Sequence, residues 1–402
     1  MPAKTEPVLT QHLRILAGFA SISLLLAAGA SSTAFADLAV SANDNKLVLV
    51  NGVPTVVASP RPDTVTIIDL STKPPRILNE LNVATSVVGP PLSVAITPDE
   101  SLVLVTAAMR IDPADPTRQI PDNKLSVIDL RANPPSVVVE LNAGLGAAGL
   151  SINREGTLAL VANRSDGSVS VFKIDGHSVR KIDTLQIGPP DSGVSHVAIS
   201  PNGRTALVTR DGDNMISVLS INGDRVEYTK RDFGVGLKPY GIAISADGQS
   251  AVVANLGIGR GDNDTISLID LTLNPPRVTD TYTVGQTPEG ITISPDGKLV
   301  AVVTMNGSNK PKESPFYSPF GRLLLFRLNR GGLKLIVDAH IGIWPQGAAF
   351  SADGKTLLVQ SMDERNIMVF SIDDNYRLKD TGQRIPLPGG GAALRTADRP
   401  VK

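Results

Sequence analysis

The stretch Ile293-Ser-Pro-Asp-Gly297 decides the fold, because the chain repeats it. Close copies stand at residues 199–203, 244–248 and 350–354, and looser copies at 40–44, 96–100 and 152–156. The seven copies follow one another at intervals of about 45 to 57 residues, a period that is typical of propellers and other repeat architectures. Proline fixes φ and glycine accepts the left-handed backbone of a tight turn, so each copy predicts a hairpin between two strands.

Each repeat contains four short strands. The strand before the turn is followed by a second, such as residues 299–303, and by a third of the type Thr265-Ile-Ser-Leu-Ile-Asp-Leu271. The fourth is more polar, as in residues 277–284 and 376–385, which is typical of an exposed sheet edge. The residue before each turn (Val40 in the first copy) is large and apolar, and its predecessor is small. Seven strands with one small face predict a closed seven-bladed β-propeller of four-stranded antiparallel blades, since blades converge on a central axis. A β-sandwich does not explain seven copies, and a β-helix lacks the antiparallel hairpins.

The sequence allows several ways in which the terminal segments could close the ring of blades. The segment Gly391-Ala-Ala-Leu394 resembles Gly347-Ala-Ala-Phe350, a predicted first strand. It pairs into the first blade beside residues 37–41, replaces them, or remains a frayed tail.

Residues 1–36 are predicted to be a cleaved signal peptide, followed by one propeller domain over residues 37–402. A mildly basic start precedes the apolar run 15–30, and Ala34-Phe-Ala36 has the small-residue pattern of a cleavage site. An uncleaved anchor is the alternative. We therefore expect a periplasmic or secreted monomer without a membrane span in the mature chain.

Composition excludes several functions. The chain has no cysteine, so it has no disulfide, thiolate metal site or c-type haem site. Its net charge of −1 and the absence of a basic block argue against nucleic-acid binding. The four histidines are widely separated, and we expect no metal site and no cofactor.

The repeat resembles the YVTN-type and lactonase-like seven-bladed β-propellers. The resemblance rests on the Ser-Pro-Asp-Gly turn, the Val-Ala-Asn end of the second strand (residues 161–163 and 253–255) and the Ile-Asp-Leu third strand. It covers essentially all of residues 37–402. It implies an exported or surface protein that binds partners, or a member of a branch that opens lactones.

The site is expected on the face that carries the long loops between second and third strands. Residues 51–63, 106–124, 255–264 and 304–322 fall there. His196 stands at a position where most copies have glycine or serine. The candidate ligand-binding residues around the channel mouth are His196, Arg110, Arg164, Arg210, Tyr240, Glu289 and Gln346.

Two functions follow from these residues. The main expectation is a non-enzymatic binding or scaffold protein whose loop face contacts a protein or polymer through Phe316, Tyr317 and Phe320. The alternative is a lactonase-like hydrolase that binds a small anionic or lactone ligand with His196 and the arginines, and loses activity in His196→Ala. A structural role for His196, as a space-filling residue bound to a carbonyl, remains a further interpretation.

Overall fold

The computed structural model describes residues 37–329 and 332–399. The predicted signal peptide lies outside this range. Seven four-stranded antiparallel sheets account for nearly all the regular structure, which confirms the predicted fold class. Within the described ranges, no helix is long and apolar enough to cross a membrane.

Thirty strands build the seven blades and one additional hairpin. Blade 1 contains β1 (Leu38–Asp44), β4 (Thr64–Asp69), β5 (Arg76–Asn82) and β30 (Gly390–Thr396), and the additional hairpin is β2 (Leu47–Val50) with β3 (Val53–Val56). Blade 2 contains β6 (Val94–Ile96), β7 (Leu102–Ile111), β8 (Gln119–Asp129) and β9 (Ser136–Asn142). Blade 3 contains β10 (Ala147–Ile152), β11 (Leu158–Asn163), β12 (Ser168–Asp175) and β13 (Ser178–Gln186).

Blades 4 to 7 follow in chain order. Blade 4 contains β14 (Val194–Ile199), β15 (Thr205–Arg210), β16 (Met215–Asn222) and β17 (Arg225–Gly234), preceded by a 3-10 turn at Pro190–Ser192. Blade 5 contains β18 (Pro239–Ile244), β19 (Ser250–Asn255), β20 (Asp264–Asp270) and β21 (Arg277–Gly285). Blade 6 contains β22 (Pro288–Ile293), β23 (Leu299–Thr304), β24 (Gly321–Asn329) and β25 (Gly332–Ile341). Blade 7 contains β26 (Pro345–Phe350), β27 (Thr356–Ser361), β28 (Asn366–Ile372) and β29 (Leu378–Pro386).

The repeated turn is held by its own side chains. In the turn at 294–297 the Ser294 hydroxyl donates to Asp296 Oδ1 at 2.6 Å and accepts the Leu299 N–H at 2.9 Å. Gly297 takes a φ of +73°, which side-chain-bearing residues adopt only with strain. The same Ser–Asp bond recurs at Ser245 and Ser351. We call the end of the propeller that carries these turns the turn face, and the opposite end the loop face.

The strand assignment in the first copy of the repeat was wrong. Residues 38–44 form the second strand of blade 1, and the innermost strand is the C-terminal β30. β1 lies between β30 and β4, with Val40 opposite both Arg395 and Ile67. The C-terminal segment therefore pairs beside the N-terminal strand, and Leu394, not Val40, occupies the first-strand position before the turn. The physical reason lies in the end of β1, where Asn43 Nδ2 donates to Thr64 and Thr66 hydroxyls at 3.1 and 3.0 Å. Asn163 and Asn255 make the same bonds from the ends of β11 and β19.

Candidate functional site

The entry of each first strand carries a β-bulge in blades 3 to 7. The ladder between the first and second strands skips residues there, between Val194 and His196 in blade 4 and between Pro288 and Gly290 in blade 6. A bulge re-aims the extra residue. The first residue skipped in each of these blades is Ala148, Ser195, Tyr240, Glu289 or Gln346, in chain order. Three predicted site residues thus occupy equivalent positions of adjacent blades 5, 6 and 7.

A cluster of polar side chains lies where the first strands begin, at the mouth of the central channel. We call it the mouth cluster, and its members are Arg164, Ser195, Asp211, Tyr240, Glu289 and Gln346.

The blade 3–4 side of the mouth cluster is fully paired. Arg164 Nη2 donates to Asp211 Oδ2 at 2.6 Å, and Arg164 Nε lies 3.2 Å from Ser195 Oγ. The Ser195 hydroxyl is 3.0 Å from the same Asp211 oxygen. The Arg164 side chain remains 35% exposed, so this side of the mouth is open to solvent.

The blade 6–7 side is buried and unpaired. Glu289 and Gln346 adjoin each other, and burial raises the pKa of Glu289 to about 8 against the lowering effect of the Gln346 amide. Glu289 Oε2 and both amide atoms of Gln346 have no hydrogen-bond partner among the described residues. Burial also raises the pKa of Tyr240, with the charge of Glu289 adding to the effect. Buried polar atoms without partners cost about 1–3 kcal/mol each, so this side is poised for a polar ligand or water.

His196 lies one residue further along its strand, inside the channel. Its Nδ1 accepts the Ile242 N–H of blade 5 at 3.3 Å, and a Cβ on Gly149 of blade 3 would lie 2.4 Å from its Cδ2. Burial, with a contribution from Arg395, lowers the pKa of His196 to about 3. The imidazole is therefore neutral at physiological pH.

Two of the predicted arginines do not join the mouth cluster. Arg210 is bound by Asp213 and, at 3.1 Å, by Asp232 of the outermost strand. Arg110 stands on the extension of the β7–β8 hairpin, half exposed and 3.9 Å from Asp122.

The three predicted partner-binding aromatics lie in one loop and differ in their surroundings. Phe320 stacks on His340 with ring centroids 3.5 Å apart, and Phe316 packs where Gly261 leaves room. Phe316 is 45% exposed, and Tyr317 is partly buried.

A hydrophobic roof covers part of the loop face. Leu47 and Leu49 of β2 pack on Val87, Met305, Trp344, Met362 and Ala392. The hairpin tip reaches the loop between β23 and β24, where a Cβ on Gly52 would lie 2.1 Å from the carbonyl carbon of Lys310. This roof connects blades 1, 6 and 7 and leaves the Arg164 side open.

Sequence reasoning missed Asp211, Ser195 and Arg395. A signal for Asp211 exists, because Arg164 and Asp211 each stand twelve residues after the residue preceding the turn (Ile152 and Ile199). Opposite charges at equivalent positions of neighbouring blades predict an ion pair. No such signal marks Arg395, whose strand is identified only by the closure of the ring.

Comparisons with known proteins agree with this architecture. The family model described as lactonase, seven-bladed β-propeller, matches residues 128–256, which include Arg164, Ser195, His196 and Asp211. The chain is thus a seven-bladed β-propeller, and its residues 128–256 are similar to the lactonase family. No curated protein sequence matches it.

Solved structures share the fold at low sequence identity. A putative 6-phosphogluconolactonase from Bacteroides fragilis superposes with a TM-score of 0.69 at 19% identity, covering 92% of this chain and 99% of that one. A periplasmic gluconolactonase from Pseudomonas aeruginosa gives 0.65 at 17% identity, covering 89% and 99%. Hydrazine synthase from Kuenenia stuttgartiensis gives 0.58 at 20% identity, covering 79% and 92%.

Proposed function

We propose that the protein is a lactonase-like hydrolase that opens a small cyclic ester at the mouth cluster. The observation that carries the proposal is the buried pair Glu289 and Gln346, with three polar atoms that lack partners within the described chain. The lactonase family match and the gluconolactonase-like neighbours support this function better than the scaffold role.

Glu289 is the proton-transfer group in this proposal. Its carboxylate takes a proton from a water molecule as that water's oxygen bonds to the lactone carbonyl carbon. The Gln346 amide N–H and the Arg164 guanidinium stabilise the oxyanion that forms. The ring C–O bond then breaks, and the Glu289 carboxyl returns the proton to the departing ring oxygen, giving an open hydroxy acid. His196, neutral and with Nδ1 occupied, is a poor base, so we assign it no proton transfer.

A pH profile tests the role of Glu289. With a pKa of about 8, roughly a tenth of the carboxyl is ionised at pH 7, so kcat/KM rises with pH and levels off above about 8. Glu289→Gln is expected to lose about 10²- to 10⁴-fold in kcat/KM, a typical contribution of a general acid–base group. The assay is hydrolysis of a panel of sugar and acyl lactones by the purified protein.

Glu227→Gln is the matched control, because Glu227 is an exposed carboxylate on the outermost strand of blade 4. It should retain wild-type rates. Absence of turnover by the wild type across the panel, or full activity in Glu289→Gln, would contradict the proposal.

The cellular location is part of the same proposal. The predicted signal peptide and the periplasmic location named for the Pseudomonas aeruginosa neighbour support a periplasmic or secreted protein.

A further inference from the structure

A pocket of about 320 Å³ lies between the two outer strands of blade 6 and the β28–β29 turn of blade 7. Blade 6 contributes Arg327, Ile336 and Val337 to its lining, and blade 7 contributes residues 375–378. The apolar lining residues, including Leu378, pack against a core cluster that the two blades share. A concave site with apolar walls and a few polar side chains is typical of small-molecule binding.

Tyr376 has an unusual backbone conformation at this pocket. Its φ is +62°, in the left-handed region that favours glycine, and the corresponding turns of blades 3 and 4 have Gly176 and Gly223 in that region. Backbone hydrogen bonds close the turn, because the Tyr376 N–H donates to the Asp373 carbonyl at 2.9 Å and the Asp373 N–H donates to the Arg377 carbonyl at 3.1 Å. Strain of this kind is concentrated at ligand sites, so the conformation points to a role for the aromatic ring.

The Tyr376 ring orients an arginine of the neighbouring blade. Arg327 Cζ lies over the ring, 5.1 Å from its centroid, and both residues line the pocket. A cation–π contact uses the face of the guanidinium and leaves its N–H donors in the plane of the group. These donors match the two oxygens of a carboxylate, which a guanidinium binds through paired hydrogen bonds.

The charge of the pocket lining is positive. Arg327 and Arg377 both belong to the lining, and none of the described residues that line the pocket is an aspartate or a glutamate. The two carboxylates of the adjoining turn are engaged elsewhere. Asp373 Oδ1 accepts the backbone N–H of Arg377 at 2.9 Å, and Asp374 Oδ1 lies 3.2 Å from Lys355 Nζ. The lining therefore combines two cationic side chains with an apolar wall.

We propose that this pocket binds a small organic carboxylate, with the carboxylate group on the Arg327 guanidinium and an apolar body against Tyr376 and the aliphatic wall. The cations favour an anion, and the aliphatic wall favours an organic anion over inorganic phosphate, because apolar surface leaves water when the ligand binds. The site is formed by outer strands and a turn, whereas the mouth cluster lies at the first strands. It therefore does not depend on the proposed hydrolase activity.

Saturation-transfer NMR with phenylacetate tests the site. Saturation of the protein methyl protons is expected to reach the ring protons of phenylacetate, and the neutral phenylacetamide should show little transfer because it lacks the charge. Arg327→Gln is expected to weaken phenylacetate binding by about 10-fold or more, the effect of losing hydrogen bonds to a charged group. Arg225→Gln is the matched control, since Arg225 is an exposed cation on the outermost strand of blade 4 and its loss changes the net charge equally. It should bind phenylacetate as the wild type does.

Crystals soaked with 4-bromophenylacetate locate the ligand without any variant. A bromine anomalous peak in the pocket beside Tyr376 would support the proposal. Absence of saturation transfer in the wild type, equal affinity in a folded Arg327→Gln, or bromine peaks confined to the mouth cluster or other surfaces would overturn it. Should Arg327→Gln not fold, the position of the bromine in wild-type crystals decides.

Discussion

Two carboxylates at the mouth cluster differ because of their immediate partners. Asp211 accepts hydrogen bonds from Arg164 and Ser195. Glu289 is as deeply placed but adjoins a neutral amide, and one of its oxygens has no partner in the described structure. Burial raises the pKa of Glu289 to about 8. Glu289 is thereby suited to exchange a proton and Asp211 to hold Arg164 in place.

The burial of Glu289 predicts a pH-dependent cost in stability. Its folded pKa of about 8 lies above the ordinary 4.5, so the folded protein holds an additional proton between these values and loses stability as pH rises through that window. Glu289→Gln cannot ionise and escapes the loss. We expect its free energy of unfolding, relative to the wild type, to increase by a few kcal/mol between pH 5 and pH 9, on the order of 1.4 kcal/mol per pKa unit. Urea unfolding at both pH values measures it, and a difference that does not vary with pH would contradict it.

At the element scale, the β2–β3 hairpin depends on a buried charge cluster at its base. Lys46 Nζ binds Asp63 and the Thr85 carbonyl, the latter at 2.8 Å, and lies 3.3 Å from Asp44. The two carboxylates also accept backbone N–H groups, including that of Val87 at 2.8 Å. The sequence predicted a loop here, although Val50-Asn-Gly-Val53 has the Asn-Gly pair that is typical of two-residue hairpins. The Asn-Gly pair was thus a local sequence signal for the hairpin. The contact of the hairpin with Lys310 depends on tertiary structure and had no such signal.

Replacement of Lys46 tests the importance of this cluster. Lys46→Met leaves Asp44 and Asp63 buried without their cation, and we expect a loss of about 3–5 kcal/mol in the free energy of unfolding. Lys355→Met serves as control, because Lys355 and Asp374 form an exposed pair 3.2 Å apart that contributes about 1 kcal/mol or less. Comparable losses in the two variants, measured by denaturant unfolding, would show that the cluster has no special role.

At the scale of the whole molecule, the sequence predicted the number of blades, the order of strands within a blade and the polar outer strands. It did not decide which terminal strand completes blade 1 and closes the ring. The blade repeats can be recognised in the sequence because each copy contains the same turn and the same alternation of large and small residues. The N-terminal strand was misassigned because Val40-Ser-Ala was aligned with the first-strand pattern. Its ending, Ala42-Asn43, matches Ala162-Asn163 at the end of a second strand. Arg395 could not be placed on an inner strand from sequence, because its position follows from which terminus forms that strand.

The closing strand predicts a severe effect of C-terminal truncation. Removal of residues 390–402 deletes β30, exposes the inner edge of β1 and takes Leu394 out of a core cluster. We expect loss of the cooperative unfolding transition and aggregation through the open strand edge. Removal of residues 397–402 retains β30 and should leave a cooperative transition at moderately lower temperature, since Arg399 is bound to Glu100. Calorimetry distinguishes these outcomes, and a cooperative transition in the longer deletion would contradict the prediction.

The pairing of β1 with β30 also constrains how the protein acquires its structure. Residues 39 and 396 become neighbours although nearly the entire described chain separates them. Such distant pairings slow folding, because the entropy of loop closure is lost before the contacts are gained. During synthesis, blades 2 to 7 can form in order as they emerge, while β1 waits for β30, the last strand of the propeller in chain order. The ring therefore closes only after β30 has been made, and until then β1 offers an unpaired edge that a chaperone could shield.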